Sequence, residues 1–342
     1  MIERRKIKLD YTVFEGKSIL ITGATGLIGK ALVKKLIKEN QNRKNKVNVI
    51  AVVRNFEKAQ RIFKEDICEE LKFLVTDVCG FEAKKMNVDY IIHAASQTSS
   101  KGFVNIPVDT IMTALQGTRN FLELAKMNEV KGFVYLSSME VYGTPITDEK
   151  ICENHATNLD AMKVRSCYPE SKRMCESLCA SYAAQYGIPA MVVRLTQTFG
   201  PGVVYSDERV FAEFARCAIE EKNIILKTKG ETKRSYLYTE DAVEAILTVL
   251  IEGKKGEAYN AANENTYCSI YEMAELVAQN CTKTPIAVII KESNEIEKLG
   301  YAATLHMNLD TSKLKELGWQ AKTGLTEMYQ YMIEDMKNKI EE

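Results

Sequence analysis

Tyr168 and Lys172 stand four residues apart in the run Tyr168-Pro169-Glu170-Ser171-Lys172, and so project from one face of a helix. A phenol alone titrates near ~10, too weak an acid–base for neutral pH. A neighbouring ammonium favours the phenolate and lowers that value. Such a pair can move a proton to or from a hydroxyl while a bound cofactor moves a hydride. The spacing by itself is common on surface helices. Its company gives it weight: a glycine-rich turn opens the chain, and Ser137-Ser138 precedes the pair by about one strand–helix unit.

These groups must be held by elements that the rest of the pattern supplies. Lys17 to Thr22 is a short apolar, β-branched run, which predicts a buried strand. Gly23-Ala24-Thr25-Gly26-Leu27-Ile28-Gly29 follows, and Leu32, Val33, Leu36 and Ile37 then repeat at helical spacing. Strand, glycine turn and helix in that order form a phosphate cradle. Gly23 allows the tight turn, Gly26 lets a pyrophosphate approach the helix N-terminus, and Gly29 lets helix and strand pack closely. A second strand, Val47–Val53, ends at Arg54, about where a dinucleotide fold places its ribose-reading carboxylate. An arginine there would meet a 2′-phosphate, with Lys58 one turn on as a second cation. A solvated arginine at a strand end is the alternative.

Leu71–Val78 predicts a third strand with Asp77 near its tip, placed to accept from an adenine amino group or simply to make a turn. Val88–Ala95 predicts a fourth, whose small exit residues Ala94 and Ala95 leave room for a cofactor backbone. A helix follows across Val104–Lys126, then a fifth strand at Phe133–Leu136, the Tyr-Lys helix ending near Tyr186, and a sixth strand at Ala190–Leu195. The alternation predicts a doubly wound parallel sheet, and ligands of such sheets bind beyond the carboxyl ends of the strands. Gly23, Asp77, Ala94 and Ser138 all fall there. Later segments predict a helix over Val210–Ile219, short strands at Ile224–Leu226 and Ser235–Tyr238, and a helix from Thr239 to Ile251 capped by Thr239. The second half therefore reads as a smaller lobe interwoven with the first: 10–200 as the dinucleotide-binding domain, with segments returning from about 235–262, and 201–342 mainly as a substrate-binding lobe.

The 342 residues carry a formal net charge of zero, without the electrostatic footprint of a nucleic-acid or anionic-membrane binder. No apolar run approaches the ~20 residues of a membrane span. Met1 to Lys6 is charged and does not read as a secretory leader. Nine cysteines without paired spacing suit a reducing cytoplasm. Cys175 and Cys179 share a helical face, but with no second ligand pair nearby they read as packing residues, and no metal site is predicted.

Together these residues resemble the extended short-chain dehydrogenase/reductase family, the nucleotide-sugar epimerase/dehydratase/decarboxylase group. The resemblance rests on the Gly23–Gly29 turn, His93-Ala94-Ala95, Ser137-Ser138-Met139-Glu140-Val141-Tyr142-Gly143, the Tyr168–Arg173 run and Phe199-Gly200-Pro201-Gly202. It implies a Rossmann domain in which Gly23, Thr25, Gly26, Leu27, Ile28, Gly29, Arg54, Asp77, Val78, Ala94, Ala95, Tyr168 and Lys172 hold NAD(P). By resemblance, Ser138 hydrogen-bonds the C4 oxygen of a sugar, Tyr168 takes its proton, Lys172 holds the nicotinamide ribose and lowers the phenol, and Glu140 works near C5. Gln197, Arg209 and Arg234 contact the nucleotide sugar, the arginines suiting phosphate oxygens. Family members with a permanent cofactor usually hold NAD, whereas Arg54 favours NADP. Relatives pair the two helices around Val104–Lys126 and Pro169–Tyr186, whose apolar residues include Leu115, Phe121, Leu178 and Tyr182, which implies a homodimer.

Within that group, Tyr-x-Glu-x-Lys-Arg and Ser206-Asp207-Glu208-Arg209-Val210 look most like UDP-glucuronate decarboxylases. Four positions depart. Met139 stands where dehydratases carry an acid, and a thioether donates no proton. Gly202 stands where decarboxylases carry an arginine, Ala114 where the group has an active-site asparagine, and Arg54 where it has the strand-end acid. Epimerisation, dehydration and decarboxylation all remain open at this level. So does a non-catalytic dinucleotide sensor, although a sensor needs none of Ser138, Tyr168 and Lys172.

Overall fold

The computed structural model describes residues 10–292 and 304–341. The charged segment 1–6 lies outside the described residues. Six strands lead the fold: β1 (Ser18–Thr22), β2 (Asn48–Val53), β3 (Leu71–Val75), β4 (Tyr90–His93), β5 (Gly132–Ser138) and β6 (Ala190–Leu195). Together with Ala258–Ala261 they form one seven-stranded sheet in the spatial order Ala258–Ala261, β6, β5, β4, β1, β2, β3. Every pairing is parallel. A parallel sheet is covered on both faces, and β1 is accordingly buried at all five positions. Its side chains alternate: Ile19 and Ile21 enter one core and Leu20 the other.

Helix α1 (Leu27–Glu39) contributes Leu32, Val33 and Leu36 to the first core, facing Val243, Ile246 and Leu247 of the helix Thr239–Glu252. After the short α2 (Phe56–Ile62), the opposite face is covered by α4 (Pro107–Asn128) and α5 (Cys167–Tyr186), which bring Phe121, Leu122, Cys175 and Cys179. The helix expected across Val104–Lys126 is two helices. Pro107 opens α4 at its first turn, where a missing N–H costs nothing, and α3 (Ser100–Asn105) ends at Ile106. Two residues expected on a partner-facing surface are spent inside the chain: Phe121 and Tyr182 are buried, and Leu115 and Leu178 pack against the same core. What the outer faces of these helices keep exposed is Val108, Met112 and Met174, each half exposed or more.

After β6 the chain leaves the sheet. Gln197–Phe199 pairs with Lys233–Tyr238, which also pairs with Asn263–Ser269 and His306–Met307. Around this small sheet a second core gathers Phe199, Phe211, Phe214, Tyr236, Met273, Met328 and Tyr329. The cap expected from Thr239 does not form. Tyr238 occupies the cap position, and Thr239 is the first helical residue, buried, with its hydroxyl unpartnered among the described residues. Between sheet and lobe no helix among the described residues is long and apolar enough to cross a membrane.

Candidate active site

The sheet order reverses between β1 and β4, the point at whose carboxyl ends such sheets form their ligand crevice. Gly23 turns there with φ of 65°. A Cβ on it would come within 2.9 Å of the Ala94 and Ala95 backbone, and one on Gly29 would overlap the Gly23 carbonyl. The spacing of these glycines thus follows from backbone packed on backbone. Thr22 braces the crevice: its hydroxyl oxygen accepts from the amides of Ala94 and Ala95, both at 3.0 Å. Its proton is left for Nδ1 of His93 at 2.9 Å, which places the imidazole hydrogen on Nε2. Burial, aided by the nearby Lys172 charge, pulls His93 down to about 3, so it is neutral. The N-terminus of α1 has Gly26 at its cap with no side-chain hydrogen bond. Its first amides, flanked by Thr25, Leu27 and Ile28, are donors without a side-chain acceptor. A close-packed glycine turn beside uncapped helical amides fits a dinucleotide pyrophosphate.

Arg54 follows the last residue of β2 and is exposed, as is Lys58 in the first turn of α2. Asn55 caps that helix, accepting from the Lys58 amide at 2.7 Å. Strand β3 stops at Val75, short of the expected Val78, because Asp77 turns the chain: its Oδ1 accepts from the Cys79 amide at 2.8 Å. Val78 is buried, and its carbonyl accepts from Asn120 at 2.9 Å.

Tyr168 lies in the first turn of α5, nearly buried. Phe103 of α3 stacks on its ring with centroids 4.2 Å apart. The expected lowering of its phenol by Lys172 does not hold in this structure. Burial drives the phenol well above its ordinary value, and the Glu140 carboxylate adds to that, while the Ser138 hydroxyl and Arg165 pull it back. Burial is the larger cause, and the ammonium is engaged elsewhere. Lys172 Nζ donates to the Leu136 carbonyl at 2.7 Å and lies 4.8 Å from the Tyr135 ring centroid, farther from that of Tyr168 at 5.7 Å. Burial pulls Lys172 itself down to about 8. Ser138 ends β5, and its hydroxyl accepts from the Glu140 amide at 3.2 Å. The Glu140 carboxylate is bound by Arg165 at 2.9 and 3.1 Å. Sequence reading missed Arg165 and Phe103. Arg165 carried a usable signal, a cation three residues before the tyrosine, but Phe103 carried none.

The four departures have structural accounts of different strength. Met139 is buried among Val141, Tyr142, Leu305 and Met307, an apolar nest in which a carboxylic acid would lose its hydration. Ala114 is buried in the core under α4. Gly202 has φ of 96°, its amide donates to Asp335 at 2.7 Å, and a Cβ there would collide with the end of Lys30. The lysine end can move aside, but the positive φ strains any side chain at 202. Arg54 has no partner among the described residues that explains its choice. Of the expected substrate contacts, Gln197 sits opposite Tyr236 in the small sheet. Arg209 is engaged locally, its guanidinium bound to Asp207 at 2.5 to 3.2 Å. Arg234 is half-buried, with an Nε that has no hydrogen-bond partner among the described residues.

A doubly wound sheet with a glycine cradle at its switch point, and serine, tyrosine and lysine converging beside it, defines the extended short-chain dehydrogenase/reductase class. Residues 19–262 match the model of the NAD dependent epimerase/dehydratase family, and the chain belongs to that family. It is 32% identical over 326 residues to UDP-glucuronic acid decarboxylase 6 of Arabidopsis thaliana, covering 94% of this chain and 89% of the relative. Its fold is similar to that of UDP-glucose 4-epimerase of Thermotoga maritima, with a TM-score of 0.79 at 22% identity over 94% of this chain and 99% of that one. It is similar as well to dTDP-glucose 4,6-dehydratase of Bacillus anthracis, solved in complex with NAD, with a TM-score of 0.75 at 20% identity, covering 95% and 98% of the two chains.

Proposed function

We propose that this enzyme converts a nucleotide-activated sugar through a transient 4-keto species. The observation that carries the reading is the convergence of Ser138, Tyr168 and Lys172 beside the glycine cradle at the switch point. A nicotinamide dinucleotide held by Gly23, Thr25, Gly26, Leu27, Ile28, Gly29, Ala94 and Ala95 supplies hydride acceptance and return. Tyr168 takes the proton of the C4 hydroxyl, and Ser138 orients that oxygen. Lys172, buried and bound to the Leu136 carbonyl, adds a positive charge beneath the site at neutral pH, below its lowered value of about 8. Glu140 acts at C5 once the ketone has acidified it, a role supported by its position two residues after Ser138. The lobe 201–342 binds the nucleotide, with the Nε of Arg234, which has no hydrogen-bond partner among the described residues, offered to phosphate oxygen, and with Gln197 and Arg209 as further contacts. Arg209 reaches a diphosphate by giving up Asp207. Nine free cysteines accord with action in a reducing compartment such as the cytoplasm.

Incubation with UDP-, GDP-, CDP- and dTDP-sugars, UDP-glucuronate included, tests the reading by mass and retention time. Conversion of at least one is expected. No conversion, with dinucleotide still bound, would leave the protein a sensor and overturn the proposal. Loss of CO₂ from UDP-glucuronate would establish decarboxylation, the second reading, which the 32% identity to a decarboxylase favours and the glycine at 202, in place of the expected arginine, disfavours.

Two finer readings accompany this. The family is NAD-dependent by description, but Arg54 and Lys58, both exposed at the ribose end of the crevice, favour a 2′-phosphate. Because both are solvated, the gain is modest, about fivefold. Calorimetric titration should show NADP binding tighter than NAD, with Arg54→Ala removing the difference. If NAD binds at least as tightly and Arg54→Ala weakens both alike, Arg54 lies on the adenine face instead. The chain also pairs with a second copy through α4 and α5, whose outer faces hold Val108, Met112 and Met174. Light scattering at micromolar concentration should give twice the chain mass, and a monomer mass would count against it.

A further inference from the structure

Arg165 has no role in the chemistry described so far, yet it touches both sides of the proton relay. Its guanidinium binds the Glu140 carboxylate at 2.9 and 3.1 Å. It also lies 4.6 Å from the centroid of the Phe103 ring, and that ring is stacked on Tyr168 at 4.2 Å. The segment that carries it is fixed from two directions. Ser166 Oγ donates to the Asp160 carbonyl at 2.7 Å, and Cys167 Sγ donates to the Phe103 carbonyl at 3.1 Å. Arginine, aromatic ring and tyrosine thus form a stack, with Glu140 bound at its outer edge.

We propose that Arg165 is a positioning residue of the proton relay: it pins the Glu140 carboxylate and offsets its charge, so that Tyr168 can give up its proton beside it. This inference deepens the reading of the site as an acid–base centre and rests on it. The charges around Tyr168 define the task. Glu140 acts on the phenol from the turn after β5, Ser138 and Tyr135 from β5 itself, and Lys172 from α5. Glu140 and burial both hold the phenol protonated, and Arg165 opposes them. Lys172 is drawn aside to the Leu136 carbonyl. A carboxylate that works at C5 and a phenol that must ionise at C4 are electrostatically at odds. A guanidinium bridging to the carboxylate lets one site hold both.

The test reads tyrosinate absorbance against pH in the presence of NAD, each protein being compared with the same protein carrying Tyr168→Phe so that Tyr168 is isolated. Arg165→Gln should lower the phenolate fraction at a given pH by about tenfold, one unit of displacement. Glu140→Gln in the same chain should restore it, and Arg165→Lys should hold most of the original titration. The rising limb of kcat/KM against pH, on whichever sugar the panel yields, should move with the absorbance. A merely structural arginine would not be rescued by removing Glu140. An unchanged titration in Arg165→Gln, or a displaced one that Glu140→Gln leaves in place, overturns the proposal. If Arg165→Gln does not fold, Glu140→Gln alone must raise the phenolate fraction, and its failure to do so is equally decisive. Absence of sugar conversion bears on the proposed function and leaves this readout intact, because the titration requires no substrate.

Discussion

Tyr168→Phe is expected to abolish most turnover, by about 10²–10⁴, while dinucleotide binding stays within a few-fold. The substitution removes one oxygen from a ring that is otherwise held by its stack on Phe103, so the pocket keeps its shape. The hydroxyl removed is the group proposed to exchange a proton with the C4 oxygen, next to Ser138. Burial and Glu140 hold this phenol well above its ordinary value. Proton abstraction needs the phenolate, so the wild-type rate should climb with pH toward the phenol's titration. In Tyr168→Phe that ascending limb should vanish. Turnover near wild type in this variant, or an ascending limb that survives, would remove Tyr168 from the mechanism.

The parts of this fold set by local pattern could be read from the chain. Strands β1 and β6 are short buried runs bounded by glycine or proline signals, and both lie within the predicted runs. Helix α5 ends at Tyr186 as expected, because Gly187 takes the left-handed conformation that closes it. Where long-range contacts decide, the chain was less legible. Whether Asp77 continues β3 or turns it depends on a hydrogen bond to Cys79 that no periodicity announces. Phe121 and Tyr182 are apolar on helices, and only the assembled sheet shows that they face inward. Lys172 illustrates the same limit inside the site. Its spacing from Tyr168 set the two on one helical face, but the ammonium follows the Leu136 carbonyl, an acceptor 36 positions away in the chain. The positions of Glu140 and Ser138 were legible as a motif. The pair of side chains that locks their segment in place was not, since Glu176 and Arg194 are charged residues on different elements whose meeting is created by the fold.

Arg194→Met is expected to destabilise the protein by about 3–5 kcal/mol, the cost of leaving a buried carboxylate without its partner. Arg194 on β6 and Glu176 on α5 are only 14% and 12% exposed. The guanidinium binds both carboxylate oxygens at 2.7 to 3.2 Å, and its remaining nitrogen donates to the Tyr142 hydroxyl and the Glu153 carbonyl, each at 2.8 Å. Glu176 also accepts from Ser137 at 2.5 Å, and Tyr142 donates onward to Asn260 at 2.7 Å. Ser137 and Tyr142 bracket the segment that presents Ser138 and Glu140, so one ion pair fastens both ends of that turn. Denaturant unfolding of Arg194→Met should show the loss in midpoint. Combining it with Glu176→Met should recover much of it, because a pair of apolar side chains leaves no orphaned charge. The double variant separates stability from function. Its fold and dinucleotide binding should return, while turnover stays low because Ser137 has lost Glu176 and Tyr142 has lost Arg194. A single variant that loses less than about 1 kcal/mol would place this pair with solvated surface ion pairs, and full turnover in the double variant would show that Ser138 and Glu140 are held by the backbone alone.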